Sequence, residues 1–346
     1  MTNDKLNVGV LGLGRIGKIH IENLAKRIPG AEVVAVCDVS AHELDAVKAR
    51  YKIGKTSSDY REVLELPDVD AVVICTPTST HCPILLDAAA AQKHVFCEKP
   101  IDLSIAKIDS INDAFQKAGT QLMVGFNRRF DPHFLKMHEM VKSGKTGSPH
   151  ILKITSRDPS PPPEGYIRLS GGIFLDMTIH DFDMARYLMG SEITEVYAKA
   201  NVLVDRIFEK LGDWDTAITN LTFQSGALGT IDNSRRAVYG YDQRVEVFGS
   251  EGMVAIENAR PDNHVCLDRE GTHAPLPLNF FMERYAESYL REMQAFVASI
   301  LENQAVPVTG NDGRAAVAIG LAAAESAKQN RPVKLDEIRA ASQFAA

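Results

Sequence analysis

Residues Gly12-Leu13-Gly14-Arg15-Ile16-Gly17 stand directly after the apolar run Asn7–Leu11 and open a stretch of helical periodicity. Few spans of six residues restrict a fold so strongly. The glycines serve a tight turn, close backbone approach to a pyrophosphate, and packing of a helix on a strand, so the motif belongs in a strand-turn-helix setting. Asp38 closes the next β-branched run, about 20 residues on, where a dinucleotide site places a carboxylate for the ribose 2′-hydroxyl. That carboxylate accepts a hydrogen bond from the hydroxyl and would repel a 2′-phosphate, so NAD is expected over NADP. A structural glycine turn and a solvated turn aspartate are the competing readings.

With 346 residues the chain exceeds what one hydrophobic core usually spans, since cores stop growing at about 250–300 residues. Two domains are expected, residues 1–125 and 126–346. In the first, short apolar runs alternate with helical stretches, the pattern of an α/β, doubly wound parallel sheet, a Rossmann domain. Strands are expected at Asn7–Leu11, Glu32–Cys37, Ala71–Cys75, His94–Cys97 and Gln121–Val124. Helices fall between them at Ile16–Lys26, Ala41–Tyr51, Tyr60–Leu64, Cys82–Ala91 and Ile105–Ala118.

Beyond a helix at Pro132–Ser143 the texture changes, and strands follow one another. They are expected at His150–Arg157, Thr194–Val204, Thr216–Phe223, Leu228–Ser234, Arg244–Gly249 and Met253–Glu257, with a helix at Leu175–Met189 interrupting them early. Such runs specify an α+β domain on a mostly antiparallel open sheet. The Pro-rich stretch Pro159–Gly165 reads as a loop. Two helices, Tyr285–Asn303 and Gly313–Asn330, close the chain, the second Ala-rich and suited to close packing back on the first domain.

Composition removes several classes of function. The chain is 45% hydrophobic and 24% charged, as globular chains are, and its net charge of −7 argues against nucleic acid or an anionic membrane as partner. No apolar run approaches the roughly 18 residues of a membrane span, and Val8–Leu13 is too short for the core of a signal peptide. A cytoplasmic protein is expected. Cys37, Cys75, Cys82, Cys97 and Cys266 are odd in number and form no C-x-x-C pair, which suits neither a disulfide framework nor a zinc knuckle. They read as reduced thiols packed as small hydrophobes, and no metal is expected.

Three further groups can carry chemistry. Cys75-Thr76-Pro77-Thr78 ends a strand at the edge where open parallel sheets bind ligands, so Thr76, Pro77 and His81 are candidates to line the cofactor. Helix capping is the competing role of this Thr/Ser cluster. Glu98-Lys99-Pro100 ends another strand of that sheet, where the proline can hold a turn, through a cis bond, and direct the lysine. An ordinary surface lysine is an equal reading. Finally, the run Gly171–His180 enters a helix with Asp176 and His180 four apart, hence on one helix face. An aspartate so placed fixes the imidazole tautomer and supports the charge that His180 gains as a general base. A surface pair or half of a metal site has the same spacing.

In this order the GxGxxG turn, Asp38, Glu98-Lys99-Pro100 and Asp176-x-x-x-His180 resemble the Gfo/Idh/MocA oxidoreductases along the whole chain. Three longer runs, GFNRRFD (Gly125–Asp131), SGGIFLDMTIHDFD (Ser170–Asp183) and YGYDQR (Tyr239–Arg244), are similar to the inositol 2-dehydrogenase branch of that family. The resemblance implies NAD as cofactor, a small polyol as substrate, oxidation of myo-inositol to 2-keto-myo-inositol, and a homotetramer. It implies a catalytic triad of Lys99, Asp176 and His180. Cofactor contacts are implied at Gly12, Leu13, Gly14, Arg15, Ile16, Gly17, Asp38, Thr76, Pro77, His81, Glu98 and Lys99. The polyol would be held by Asn127, Arg129, Arg157, Asp176, His180 and Tyr239, with Asp158 and Tyr241 as further candidates; an ion-paired arginine or a packed tyrosine is the alternative at each. Other activities on the same framework are oxidation of another inositol isomer or of a pyranose such as glucose, an NAD-dependent glycosidase, and a non-catalytic NAD sensor. A sensor need not keep Lys99, Asp176 and His180 together.

Overall fold

The computed structural model describes residues 5–338; residues 1–4 and 339–346, at the outer ends of the two expected domains, lie outside the described residues. Residues 5–130 with Glu287–Ala315 form one unit, and Asp131–Ala286 with residues 316–338 form another.

The first unit runs β1 (Leu6–Leu11), α1 (Arg15–Arg27), β2 (Ala31–Cys37), α2 (Ala41–Tyr51), β3 (Lys55–Ser57), α3 (Tyr60–Leu64), β4 (Ala71–Ile74), α4 (His81–Ala90), β5 (His94–Glu98), α5 (Ile105–Ala118) and β6 (Leu122–Gly125). Its strands are all parallel, in the order β3-β2-β1-β4-β5-β6. Every residue of β4 is buried, because a central parallel strand is covered on both faces. On α5 the residues Ile105, Ile108, Ile111 and Phe115 are buried at the spacing of one helical stripe. The edge strand β3 has no apolar run, so periodicity does not reveal it; its ladder with β2 holds it.

Parallel strands in register bring their carboxyl ends to one edge. Leu11 pairs with Cys37 and Ile74, Ile74 with Cys97, and Glu98 with Gly125. The strand order reverses between β1 and β4, the point where open sheets of this kind accept ligands.

The second unit continues with α6 (Pro132–Lys142), β7 (Pro149–Arg157), α7 (Glu164–Ile167), α8 (Gly172–Asp176), α9 (Ile179–Met189), β8 (Ile193–Asn201), α10 (Ile207–Lys210), β9 (Thr216–Phe223) and β10 (Leu228–Ser234). There follow β11 (Asp242–Gly249), β12 (Gly252–Ile256), a hairpin of β13 (Cys266–Asp268) and β14 (Gly271–His273), and α11 (Phe281–Arg284). Then α12 (Ala286–Leu301) supplies most of the segment that returns to the first unit, before α13 (Gly310–Gln329) and β15 (Val333–Lys334). The seven-stranded sheet has the order β12-β11-β7-β10-β9-β8-β15, antiparallel except for the β7–β10 pair. Along β7 the alternation is strict: Leu152, Ile154 and Ser156 are buried while Ile151 and Lys153 are exposed, as expected where one face of a sheet is covered.

One expectation is corrected. The helix over Leu175–Met189 is two pieces, α8 ending at Asp176 and α9 starting at Ile179. The Thr178 N–H donates to the carbonyl of Ile173, five residues back, and the Thr178 hydroxyl oxygen lies 3.2 Å from the same oxygen. Met177 N–H keeps its α-helical bond to that carbonyl at 3.1 Å, and Thr178 N–H turns back to it instead of to Phe174, so the regular ladder stops there. Asp176 therefore ends one helix and His180 begins the next, in place of a regular i,i+4 pair on one helix. The helix expected from Tyr285 is preceded by the separate turn α11, closed by Tyr285 N–H donating to Phe281.

Candidate active site

The glycine turn follows β1. Gly12 has φ of +93°, and a Cβ there would lie 2.7 Å from the backbone of Cys75; a Cβ on Gly17 would overlap the Gly12 carbonyl oxygen. Both must be glycine for α1 to pack across β1 and β4. Gly14 differs, since nothing lies within 4 Å of its Cβ position. It is the N-cap of α1, with no side-chain hydrogen bond on the helix's first N–H groups and no acidic residue in the first turn. Open space before uncapped helical N–H groups is what a pyrophosphate requires. The residues present fit a dinucleotide.

Leu13 is buried, and its functional group is its N–H, which donates to Asp38 Oδ2 at 2.6 Å. Asp38 Oδ1 accepts from Ser40 N at 2.8 Å. Asp38 thus ties the glycine turn to the end of β2, and each carboxylate oxygen keeps a second lone pair for a ribose hydroxyl. Its turn role leaves room for a ligand role. Arg15 is exposed and Ile16 half-buried beside them.

The loop after β4 and the turn after β5 are joined by His81, which is 1% exposed. Its two ring nitrogens lie 2.9 Å from the carbonyl oxygens of Thr76 and Pro100. Burial holds its pKa below the ordinary histidine value against the pull of those carbonyls. His81 is therefore buried as a brace between the two loops and is not itself open to a ligand. The Thr80 hydroxyl bonds to Thr76 Oγ1 and to the Pro77 carbonyl, both at 2.8 Å, and no side chain caps α4. The Lys99-Pro100 peptide is cis, and Lys99 is half-buried. Glu98 Oε1 lies 2.8 Å from His20 Nε2. Two substrate candidates also belong to this unit: Asn127, which is buried, and Arg129, which is paired with Asp312 at 3.0 Å.

In the second unit the carboxyl end of β7 meets the turn after β10 and the start of β11. Asp176 is buried at 7% exposure, and its carboxylate accepts from the Tyr166 hydroxyl at 2.6 Å and from Arg235 at 2.8 Å. Arg235 also reaches Asp158 at 3.2 Å. Burial opposes its charge, yet the Asp176 and Asp158 carboxylates hold its pKa above the ordinary arginine value. Burial and then the charge of Asp176 push the Tyr166 phenol well up, so it remains a donor.

A second network lies nearby in sequence. Arg157 donates to Asp232 at 2.6 Å and to the Tyr239 hydroxyl at 3.1 Å, and Tyr239 donates to Asp242 at 2.5 Å. The Asp232 partnership raises the Arg157 pKa against burial. Behind both networks, buried Asn233 accepts from Thr178 at 2.9 Å and donates to Asp181 at 2.9 Å and to the Ser156 carbonyl at 3.2 Å. It pins the α8–α9 junction, and so the segment carrying His180, to β7 and β10. Tyr241 is 8% exposed with its ring edge-on to Tyr285 at 6.0 Å, a packed aromatic.

The structure thus places Arg157 with Tyr239 and Asp158 with Asp176, and it adds Tyr166, Arg235 and Asn233, which sequence reasoning passed over. For Arg235 a signal existed: Ser234-Arg235-Arg236 puts two cations at a strand end. Tyr166 had none, because its partner lies across the loop before α8.

A profile of an oxidoreductase family with an NAD-binding Rossmann fold matches residues 6–126, and one of the GFO/IDH/MocA C-terminal domain matches residues 134–255. The chain belongs to the GFO/IDH/MocA oxidoreductases. It is 51% identical to a myo-inositol 2-dehydrogenase of Thermotoga maritima over 96% of this chain and 99% of that one. A crystal structure of a probable dehydrogenase from Thermotoga maritima superposes with a TM-score of 0.95 at 51% identity, covering 96% of this chain and 100% of that one. The scyllo-inositol dehydrogenase of Lactobacillus casei, solved with NAD(H) and scyllo-inositol, gives a TM-score of 0.90 at 32% identity over 96% and 99%. As a GFO/IDH/MocA oxidoreductase the protein uses NAD, and the glycine turn, the uncapped start of α1 and Asp38 are the parts of its Rossmann unit that fit the dinucleotide. Among the described residues no helix is long and apolar enough to cross a membrane.

Proposed function

We infer that this oxidoreductase converts one ring alcohol of an inositol to a ketone, with myo-inositol as substrate and 2-keto-myo-inositol as product. The observation that carries the reading is the Tyr166–Asp176–Arg235–Asp158 clamp beside the Arg157–Tyr239 pair: charged donors and acceptors are set close together, each held by another, as a ring bearing hydroxyls on every carbon requires. The 51% identity to a myo-inositol 2-dehydrogenase supports the same choice. In this reading the first domain, residues 1–125, holds the cofactor and residues 126–346 hold the polyol, in a cytoplasmic homotetramer.

His180 accepts the proton of the reacting hydroxyl, and Asp176, kept in place by Tyr166 and Arg235, orients the imidazole and supports its positive charge. The Lys99 ammonium hydrogen-bonds the substrate oxygen as negative charge gathers there. The bound nicotinamide supplies the acceptor for the hydride that leaves the carbinol carbon. Arg157, Tyr239, Asn127 and Arg129 bind the remaining hydroxyls, directly or through the partners that orient them.

A second reading, oxidation of scyllo-inositol, is favoured by the likeness to the Lactobacillus casei enzyme solved with that isomer. Absorbance of NADH, followed with myo-inositol, scyllo-inositol, D-chiro-inositol and glucose side by side, separates them. The largest kcat/KM is expected for myo-inositol. A preference for another polyol would move the specificity while keeping the chemistry, and no turnover of any of the four, with NAD bound, would overturn the reading.

A further inference from the structure

Beneath the Glu98-Lys99-Pro100 turn the first unit encloses a polar group that the reaction above does not use. His20 on α1 and Glu292 on α12 are both 0% exposed, and the Glu98 side chain at the end of β5 is 14% exposed. One polar atom of each lies within 4.8 Å of the others. The surroundings are aromatic: the His20 ring meets Phe96 edge-on at 5.1 Å and Tyr289 at 5.9 Å, and Phe96 meets Phe296 at 5.9 Å. Tyr289, Glu292 and Phe296 fall on one face of α12, so the sequence commits this carboxyl to the interior.

Two carboxylates at that separation in an apolar enclosure cannot both stay ionised without a compensating cation. His20 Nε2 is already 2.8 Å from Glu98 Oε1, whereas neither Glu292 oxygen has a hydrogen-bond partner in the structure. Glu98 is confined from its other side too, for a Cβ on Gly125 of β6 would lie 3.0 Å from Glu98 Oε2. Its carboxylate therefore has a fixed seat, with His20 on one oxygen, the bare backbone of Gly125 against the other, and Glu292 facing it.

The geometry points to Glu292 as a positioning residue, a neutral carboxylic acid whose proton faces the Glu98 carboxylate, so that the turn delivering Lys99 is held in one direction. The inference rests on the reading of Lys99 as a catalytic group. The groups facing Glu292 from the packed elements are His20 of α1, Cys75 at the end of β4 and Glu98 of β5. Burial, then the charge of Glu98, push the Glu292 carboxyl up, and the same burial, then Glu98, push up the Cys75 thiol, so all the anionic neighbours act in one sense. A folded-state pKa above the unfolded value means the folded protein holds the extra proton. Stability from this site is then complete below the ordinary glutamate range and is lost as pH rises through the folded value.

The test compares Glu292→Gln, which keeps an N–H donor without a charge, with Glu292→Leu, which keeps bulk alone. An infrared difference spectrum of the two proteins at neutral pH should show a protonated carboxylic acid band in the parent that Gln removes. The fall of Tm on raising pH from about 5 should flatten in Glu292→Gln. Glu292→Leu should lower kcat about tenfold with little change in NAD affinity, Gln should restore most of it, and in a Lys99→Ala background Leu should have no further effect. Absence of the acid band, equal kcat in all three proteins, additivity with Lys99→Ala, or stoichiometric divalent metal in the purified enzyme would each overturn the proposal. An active Lys99→Ala enzyme would instead overturn the catalytic reading, and the infrared band would still judge the protonation of Glu292.

Discussion

Under the proposed function, the ligand-facing groups at the edge of the parallel sheet are mostly backbone: the open surface at Gly14, the first N–H groups of α1, and loops that His81 holds through carbonyl oxygens. At the edge of the mixed sheet they are side chains, Asp158, Tyr166, Asp176, Arg157 and Tyr239, each held by another side chain. A backbone site tolerates many sequences as long as the turn can form. A side-chain network depends on every member, because a buried charge deprived of its partner is left uncompensated. The comparison therefore predicts different failures: substitutions in the glycine turn of the first unit should alter folding and cofactor affinity together, whereas those in the side-chain network of the second should alter turnover and leave cofactor affinity alone.

The largest expected effect is on chemistry. His180→Ala should lower kcat by about 10²–10⁴-fold, the usual worth of a positioned proton acceptor, with NADH affinity by fluorescence titration unchanged. Loss of cofactor binding together with turnover would show that the two regions do not divide the work in this way. Lys99→Ala tests the comparison from the other unit, as a side chain that carries chemistry at a backbone-built edge, and the same fall in kcat is expected.

Next in size is the clamp. Arg235→Met leaves the buried Asp176 and the half-buried Asp158 carboxylates without their shared cation, and should cost about 3–5 kcal/mol in urea unfolding. Arg235→Lys keeps the charge but loses the fork that reaches both carboxylates, so it should recover only part of the stability and little of kcat. Full recovery with Lys would mean that charge alone, without the paired geometry, holds Asp176.

These residues also show what a sequence can disclose. The glycine turn, Asp38 and Glu98-Lys99-Pro100 were legible because each is local: a strand end, a turn, and a residue type whose conformation or charge is needed there. The parallel, doubly wound sheet followed from the alternation of strands and helices. The clamp was legible only in part. Asp176 stood out by its distance from His180, but its partners come from α7 and the turn after β10, and no spacing links positions 166, 176 and 235. The break between α8 and α9 was hidden for a related reason, since the Thr178 N–H turns back to the Ile173 carbonyl while the apolar periodicity runs on regardless. Arg129 illustrates the converse: its motif is conspicuous, yet its structural partner, Asp312, lies 183 residues away.

Smaller effects are expected among the glycines, and there the backbone reading can be broken within one turn. Gly17→Ala drives a Cβ into the Gly12 carbonyl, so it should cost about 1–3 kcal/mol or more in unfolding and weaken NAD binding with it. Gly14→Ala meets no atom within 4 Å. It should leave stability within about 0.5 kcal/mol of the parent and yet reduce NAD affinity, since the methyl group enters the space a pyrophosphate would use. Equal NAD affinity in Gly14→Ala would remove that open surface from the site.

Asp38→Ala should produce the most discriminating change. Its carboxylate has two tasks, receiving the N–H groups of Leu13 and Ser40 and accepting from a ribose hydroxyl. Losing the first should cost about 1–3 kcal/mol of stability, because two charge-assisted bonds disappear. Losing the second should relax the preference for NAD over NADP by roughly tenfold, the worth of about 1.4 kcal/mol of differential binding. Asp38→Asn separates the tasks, since an amide can still accept from one N–H but no longer repels a 2′-phosphate. If kcat/KM for the two cofactors keeps its parental ratio in both variants while stability falls, Asp38 serves the turn alone, and the choice of NAD must come from elsewhere along the edge of the parallel sheet.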